Sequence, residues 1–199
     1  MSFFDQNGTL IDILHMEKPE QDFARLYVPE DATVLELGAR YGTVTCAISE
    51  KQRHSGHIVC VEPDNRVWVA LEDNITRNGC KAHIVKGFIS QKPLNLTNLD
   101  NWHGGYGATF IEDISSNIPS YSLAAIESMY DLRFDTLVAD CEGFLEKFFD
   151  ENTELFDRLR IIIFEADYPD KCNYTRLHNE FTKRGFRYIQ KGFQNVLIR

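Results

Sequence analysis

Short runs of apolar, β-branched residues alternate along the chain with longer segments whose apolar positions recur every three or four residues. ATVLELG (32–38), HIVCVEP (57–63) and AHIVKGF (82–88) have the length and Val/Ile content of buried strands. FDTLVAD (134–140) and RIIIFEAD (160–167) read the same way, the second being the most apolar of the set. Between the first two strands, TVTCAISEKQR (43–53) places Val44, Ala47 and Ile48 on one helical face. NRVWVALEDNITRNG (65–79) does so with Val67, Leu71, Asn74 and Ile75, and Gly79 stands where a helix C-cap is expected. Further helices are predicted over 122–131, 143–159 and 174–186, and residues 187–199 read as two strands with no helix between them. The stretch 89–120 is less regular, except that HGGYGATFIED (103–113) reads as a glycine turn feeding one arm of a hairpin.

Strand and helix alternating at this spacing build right-handed βαβ units. The expected architecture is a Rossmann-like three-layer α/β sandwich: a mostly parallel seven-stranded sheet, helices on both faces, and an antiparallel C-terminal strand pair at one edge. No linker, repeat or low-complexity segment divides the chain, so residues 1–199 are predicted to form one domain. Within it, 1–28 is expected to be an N-terminal helical segment and 29–199 the core. Phe3, Phe4, Leu10, Ile11 and Leu14 suit a helix docked on the sheet, a lid, or a contact in a homodimer. Sheets of this kind bind ligands at the carboxyl ends of their strands, near the switch point beside the first strand.

Charge narrows the partners. The formal net charge is −9, the pI is near 5.1, and the longest basic signals are isolated pairs such as Lys183-Arg184. A protein without a basic stripe is a poor binder of duplex DNA or long RNA, and a small or neutral substrate fits better. The five cysteines, Cys46, Cys60, Cys80, Cys141 and Cys172, stand singly with no CxxC pair. That scatter argues against a zinc site and a disulfide framework, and suits a reducing, cytoplasmic setting. The first residues lack a signal peptide's basic start and unbroken apolar run, and no stretch approaches the roughly 20 apolar residues of a membrane span.

The chemistry begins at VLELGARYG (34–42). A dinucleotide site requires G-x-G-x-x-G, so that backbone can approach a pyrophosphate. Counting from Gly38, the second glycine position is Arg40 and the third is Thr43, and no Gly-Lys-Ser/Thr follows to make a P-loop. What remains is E-L-G-x-x-x-G, formed by Glu36, Gly38 and Gly42: a tight turn, with a carboxylate placed to meet an ammonium. About twenty residues past Gly42, at the end of the second strand, Glu62 is placed to accept hydrogen bonds from the hydroxyls of an adenosine ribose. An adenosine without phosphate and with an amino-acid tail is S-adenosylmethionine.

In this order of motifs the chain resembles the class I methyltransferases, and within them the FkbM-type family. LELGARYG resembles the first methyltransferase motif, and VCVEPD with NITRNG resembles the family's FEP strand and N-x-x-x-N-G helix end. The segment ending LVADCEGFLEKFF resembles the stretch that runs into D-x-E-G and a helix, and IIIFEAD resembles the fifth strand with its closing glutamate. The likeness spans roughly residues 30–199. Two features depart from it: Ala139 stands where a lysine often precedes D-x-E-G, and residues 92–107 match no family pattern.

The resemblance implies transfer of a methyl group to an oxygen, most often a hydroxyl of a sugar or glycan, in some relatives alongside glycosyltransferase domains. It places the cofactor against Glu36, Gly38, Ala39, Tyr41, Gly42, Glu62, Pro63, Phe88, Ile89 and Asp140. Each placement has a plainer counterpart: Glu36 tied to backbone, Phe88 and Ile89 as ordinary core, Tyr41 merely packed nearby. Arg40 and Asp64 are expected at the surface beside the pocket, and Cys141 as a small packed side chain. The proton of the accepting hydroxyl needs a base, for which Asp140 or Glu142 are the candidates, with Glu165 orienting the acceptor. A cap on the following helix is the alternative for Asp140, a structural role at the Gly143 turn for Glu142, and a solvated loop for Glu165 and Asp167. Magnesium held by Asp140 and Asp167 is conceivable on chemical grounds but is not favoured, and no metal is assigned. His103 sits in a glycine-rich loop that would either close over substrate or form a plain turn. Other acceptors on the same scaffold are another small natural product, a peptide or RNA; a cofactor-binding module without catalysis is the remaining alternative.

Overall fold

The computed structural model describes residues 1–99 and 106–199. His103 therefore lies outside the described residues. The seven-stranded sheet runs β10-β11-β9-β8-β1-β2-β3, from β1 (Val34–Leu37), β2 (Ile58–Glu62), β3 (His83–Lys86), β8 (Thr136–Ala139), β9 (Ile161–Glu165), β10 (Arg187–Gln190) and β11 (Gln194–Ile198). β1 pairs in parallel with β2 on one side and β8 on the other, and β3 and β9 extend the parallel part outward. β11 runs antiparallel between β9 and β10, so the closing pair forms the expected antiparallel edge. The chain builds outward from β1 to β3 and then returns to β8, leaving a switch point beside β1 where two carboxyl ends diverge.

Strand alternation sends neighbouring side chains to opposite faces. Val34 packs with Ala24 of α1 (Lys18–Tyr27), with Val28 just after it, and with Ala47 and Ile48 of α2 (Thr43–Ser49). α3 (Trp68–Arg77) adds Leu71 and Ile75 to that side. Leu35 and Leu37 face the larger core, with Ile126 of α4 (Leu123–Tyr130), Phe148 and Phe149 of α5 (Leu145–Glu151), Phe156 of α6 (Leu155–Arg158), and Leu177 and Phe181 of α7 (Tyr174–Lys183). Of the apolar residues predicted on helical faces, Ala47, Ile48, Val67 and Leu71 are fully enclosed.

The structure departs from the sequence reading in four places. The single helix expected over 143–159 is two, because Asn152 leaves helical geometry (φ −135°) and its Nδ2 caps back onto the Phe148 carbonyl at 2.7 Å. The third strand stops at Lys86, where Gly87 turns the chain into β4 (Phe88–Ile89); β4 pairs with β7 (Ser120–Tyr121). A Cβ on Gly87 would lie 2.2 Å from the Pro119 carbonyl oxygen, so glycine alone fits that crossing. The N-terminal segment is helical only from Lys18, and before it Phe4 and Leu10 form an isolated antiparallel bridge. Finally, Cys46 and Cys80 form a disulfide, their Cα atoms 5.3 Å apart. α2 and the turn after α3 lie side by side, an adjacency hidden by 34 residues of intervening chain. The cysteines thus no longer argue for a reducing compartment.

The hairpin arm is as expected: β5 (Leu94–Thr97) and β6 (Thr109–Glu112) pair antiparallel, with Thr97 and Thr109 hydroxyls 2.9 Å apart. No helix among the described residues is long and apolar enough to cross a membrane.

Candidate functional site

The loop after β1 is shaped by its neighbours. Gly38 adopts φ 87°, and a Cβ there would sit 1.7 Å from the Asp140 carbonyl oxygen. The loop is therefore pressed against the end of β8, and only glycine permits it. Gly42, at φ 79°, is the N-cap of α2, and a Cβ would crowd Leu71 Cδ1 at 3.0 Å. The Arg40 amide donates to Glu62 Oε2 and the Asp64 amide to Glu62 Oε1, both at 2.7 Å. These two amides lock the Glu62 carboxylate at the end of β2.

Over the carboxyl ends of β1, β2 and β8 opens a cleft of about 740 Å³, part of it open to solvent. Its lining combines the acids Glu17, Glu62, Asp64, Asp140 and Glu142 with the apolar Phe88, Ile89, Leu96, Phe110 and Phe144. Phe110 stands edge-on to Phe144 at 5.0 Å, which ties the β5–β6 hairpin to the helical side of the cleft. A smaller, narrow cavity shares Glu17, Leu37, Gly38 and Asp140 with the cleft and is also lined by Glu20, Glu36 and Gln194.

Of the residues expected at the cofactor, Gly38, Glu62, Pro63, Phe88, Ile89 and Asp140 line the cleft. Glu36 faces the smaller cavity, fully buried, and accepts from the Thr45 hydroxyl at 2.6 Å. Ala39, Tyr41 and Gly42 line neither cavity. Ala39 packs with Phe3, Cys46 and Leu71, while Tyr41 packs with Val67 and Ala70 and donates its hydroxyl to Gln6. Arg40 and Asp64 are not surface residues: they are 8% and 3% exposed, lie 3.6 Å apart as an ion pair, and line the cleft. The Arg40 guanidinium also lies over the Tyr106 ring at 4.1 Å. Cys141 lines the cleft as well. Sequence reading missed Glu17, Leu96, Tyr106 and Phe110, because long-range folding of the hairpin and N-terminal segment brings them in and no local motif marks them, and it missed Phe144, which directly follows the D-x-E-G stretch.

The acids at the ends of β8 and β9 converge. Carboxylate oxygens of Asp140, Glu165 and Asp167 lie within 4.8 Å of one another, a spacing that could also hold a divalent cation. The Gly107 amide donates to Glu142 Oε1 at 3.0 Å, and the Tyr174 hydroxyl donates to Asp167 Oδ1 at 3.0 Å. Gln194 Nε2 donates to Glu165 Oε2 at 2.5 Å and also to Glu20. Burial, then the charge of Glu17 and Asp167, pushes the Asp140 carboxyl well above its ordinary range. Burial, the hydrogen bond with Asp167 and the charge of Asp140 raise Glu142 to about 9. Burial and the charge of Asp140 raise Glu165 to about 10. The cap alternative for Asp140 is excluded, since Phe144 occupies the N-cap of α5. Glu142, at φ 51°, does sit at the Gly143 turn, yet its carboxylate faces the cleft rather than capping it.

No model of a known protein family matches the chain, and no curated protein sequence does. Solved structures do. The chain is similar to the precorrin-6y C5,15-methyltransferase of Geobacter metallireducens, with a TM-score of 0.57 and 14% identity, covering 95% of this chain and 93% of that one. It is similar to the O-methyltransferase of Bacillus cereus in complex with SAH, at TM-score 0.53 and 14% identity over 91% and 81% of the two chains. A putative tRNA (m1A22) methyltransferase of Streptococcus pneumoniae, in complex with S-adenosyl-L-methionine, matches at TM-score 0.53 and 12% identity over 90% and 70%. At these identities the likeness is one of fold: the chain has the Rossmann-like α/β architecture of class I methyltransferases.

Proposed function

We propose that the protein is an S-adenosylmethionine-dependent O-methyltransferase of the FkbM type, acting on a hydroxyl of a sugar or glycan. The observation that carries the reading is the charge of the cleft. Five carboxylates face it, with Arg40 as the cation among the described lining residues. Such a lining offers a pyrophosphate little positive charge, and its raised acids can ionise to meet a cofactor whose charged groups near the reacting centre are a sulfonium and an ammonium. The residues fit the remainder of that cofactor: Glu62, held by two amides, for the ribose hydroxyls, and Phe88 and Ile89 for the flat adenine.

When bound, the cofactor supplies a methyl group made electrophilic by the sulfonium. The chain's own task is to hold a hydroxyl oxygen in line with that methyl and to accept its proton. Asp140 and Glu142 line the cleft and both bind protons more tightly than ordinary carboxyls, so either suits the base. Glu165, beside Asp140, helps orient the acceptor. Because these groups hold their protons near neutrality, turnover is expected to rise with pH above 7.

The test is calorimetric titration with S-adenosylhomocysteine, with NAD in parallel, followed by turnover on a panel of sugars, peptides and RNA. Binding of the first alone supports the pocket, and Glu62→Ala should weaken it at least about tenfold in a folded protein. Binding of NAD alone returns the dehydrogenase reading. Asp140→Asn or Glu142→Gln should abolish most turnover while cofactor still binds; wild-type rates in both remove them as bases. Turnover on RNA or peptides alone would replace the glycan acceptor, and binding without turnover on any acceptor would mark a binding module.

A further inference from the structure

Residues 1–17 lie outside the strand-helix alternation, yet they are laced to the loop that follows β1. Phe3 is buried among Cys46, Leu71 and Ile75. The Phe4 amide donates to Asn74 Oδ1 at 2.9 Å, and Asn74 Nδ2 donates both to the Phe4 carbonyl at 2.9 Å and to the Tyr41 carbonyl at 3.0 Å. Tyr41 reaches back to Gln6, and Gln21 of α1 donates to the Met16 carbonyl at 2.9 Å. The segment ends at Glu17, whose carboxylate accepts from the Thr43 hydroxyl in the first turn of α2. Glu17 is thus delivered to the cleft by a network that holds the chain on both sides of it.

Glu17 alone among the acids lining the cleft combines two features. Its backbone is left-handed (φ 50°, ψ 27°), a conformation that a non-glycine residue keeps only where its surroundings impose it. It also lines both the cleft and the smaller cavity, at their junction, in company with Gly38 and Asp140. The Glu62 carboxylate is already engaged by two backbone amides, and Glu36, bonded through one oxygen to Thr45, lines only the smaller cavity and not the cleft. A positively charged end of a ligand whose ribose sits at Glu62, reaching past Gly38, therefore arrives at Glu17.

We propose that Glu17 is the carboxylate that receives the α-ammonium of the cofactor's amino-acid tail, so that the N-terminal segment completes the cofactor site. This rests on the S-adenosylmethionine reading of the cleft. It reassigns the role expected of Glu36, which does not line the cleft. Burial and the neighbouring charge of Glu20 raise Glu17 to about 7, so an arriving ammonium would draw the group into its charged form.

The test uses two ligands that differ only at the tail: S-adenosylhomocysteine, and 5′-methylthioadenosine, which keeps adenosine and thioether but has no amino acid. Wild-type protein should bind both, the first more tightly. Glu17→Gln should lose roughly ten- to a hundredfold in affinity for S-adenosylhomocysteine, the worth of a charged hydrogen bond, with methylthioadenosine unchanged. Glu17→Gly guards against misfolding. Glycine accepts the left-handed backbone, so this variant should melt no lower than wild type and show the same selective loss. Unchanged affinity for S-adenosylhomocysteine in either folded variant overturns the assignment. So does equal loss for both ligands, which would give Glu17 a purely structural part. If folded wild-type protein binds neither ligand, the cofactor reading itself falls, and this assignment with it.

Discussion

At the scale of single residues, two glycines and one glutamate decide whether the site exists. Gly38 looks in sequence like a cofactor glycine, and its need for glycine has a reason inside the protein: the Asp140 carbonyl occupies the space a Cβ would take, at 1.7 Å. Backbone cannot yield as a flexible side chain does, and the residue also holds φ 87°. Gly38→Ala is therefore expected to cost more than about 4 kcal/mol, among the largest effects a point change produces. Urea titration checks it, and a loss below about 1 kcal/mol would mean that the ends of β1 and β8 can separate freely. Gly42 is less constrained, because the atoms crowding it belong to Leu71 and Ile75 side chains. Glu62 shows how a carboxylate becomes a fixed receptor: with both oxygens held by amides, it loses little rotational freedom on meeting a ligand.

At the scale of elements, the strands and the helices next to them were legible because burial on both faces leaves near-continuous Val/Ile/Leu runs, as in β2 and β9. Glu36, Gly38 and Glu62 were legible for a related reason, since strand ends carry them at regular spacing. The pairing of β4 with β7 and the arrival of Phe110 and Glu17 were not, because each depends on contacts distant in sequence, and the break at Asn152 was not because its cap onto Phe148 leaves the apolar spacing of 143–159 uninterrupted. The Cys46–Cys80 disulfide belongs to this second class. It ties α2, whose N-terminus is set by Gly42 at the end of the loop after β1, to the turn that ends α3. Closing a loop of 34 residues, it should contribute about 4 kcal/mol, chiefly by restricting the unfolded chain. Cys46→Ser with Cys80→Ser, or reduction of the native protein, should lower the thermal midpoint by several degrees. An unchanged midpoint under reducing conditions would show the bridge to be incidental to stability.

At the scale of the molecule, the formal charge of −9 overstates what the folded protein carries near neutrality. Burial, foremost, and the crowding of like charges raise Glu17 and Glu62 to about 7, Glu36 to about 8, Glu142 to about 9 and Glu165 to about 10, with Asp140 also well above its ordinary range. In the unfolded chain the same glutamates titrate near 4.5. Between those limits the native state binds more protons than the unfolded state, so stability must fall as pH rises. On the other side, Asp64 and Asp113 are held below their ordinary value by the Arg66 and Ser115 hydrogen bonds that outweigh burial or act with little of it, and their stabilisation is lost in acid. The ligand-free protein is therefore expected to be most stable in mildly acidic solution, between about pH 5 and 6, with a thermal midpoint that declines toward pH 9. Glu142→Gln and Glu165→Gln remove two of the responsible groups and should flatten that decline. A cation in the cleft should flatten it too, because it favours the ionised form of each acid it faces. A midpoint that instead rises steadily from pH 6 to 9 would mean that these carboxyls ionise freely in the native state. The cleft would then carry standing negative charge at neutral pH, in place of acids that ionise as a cation arrives.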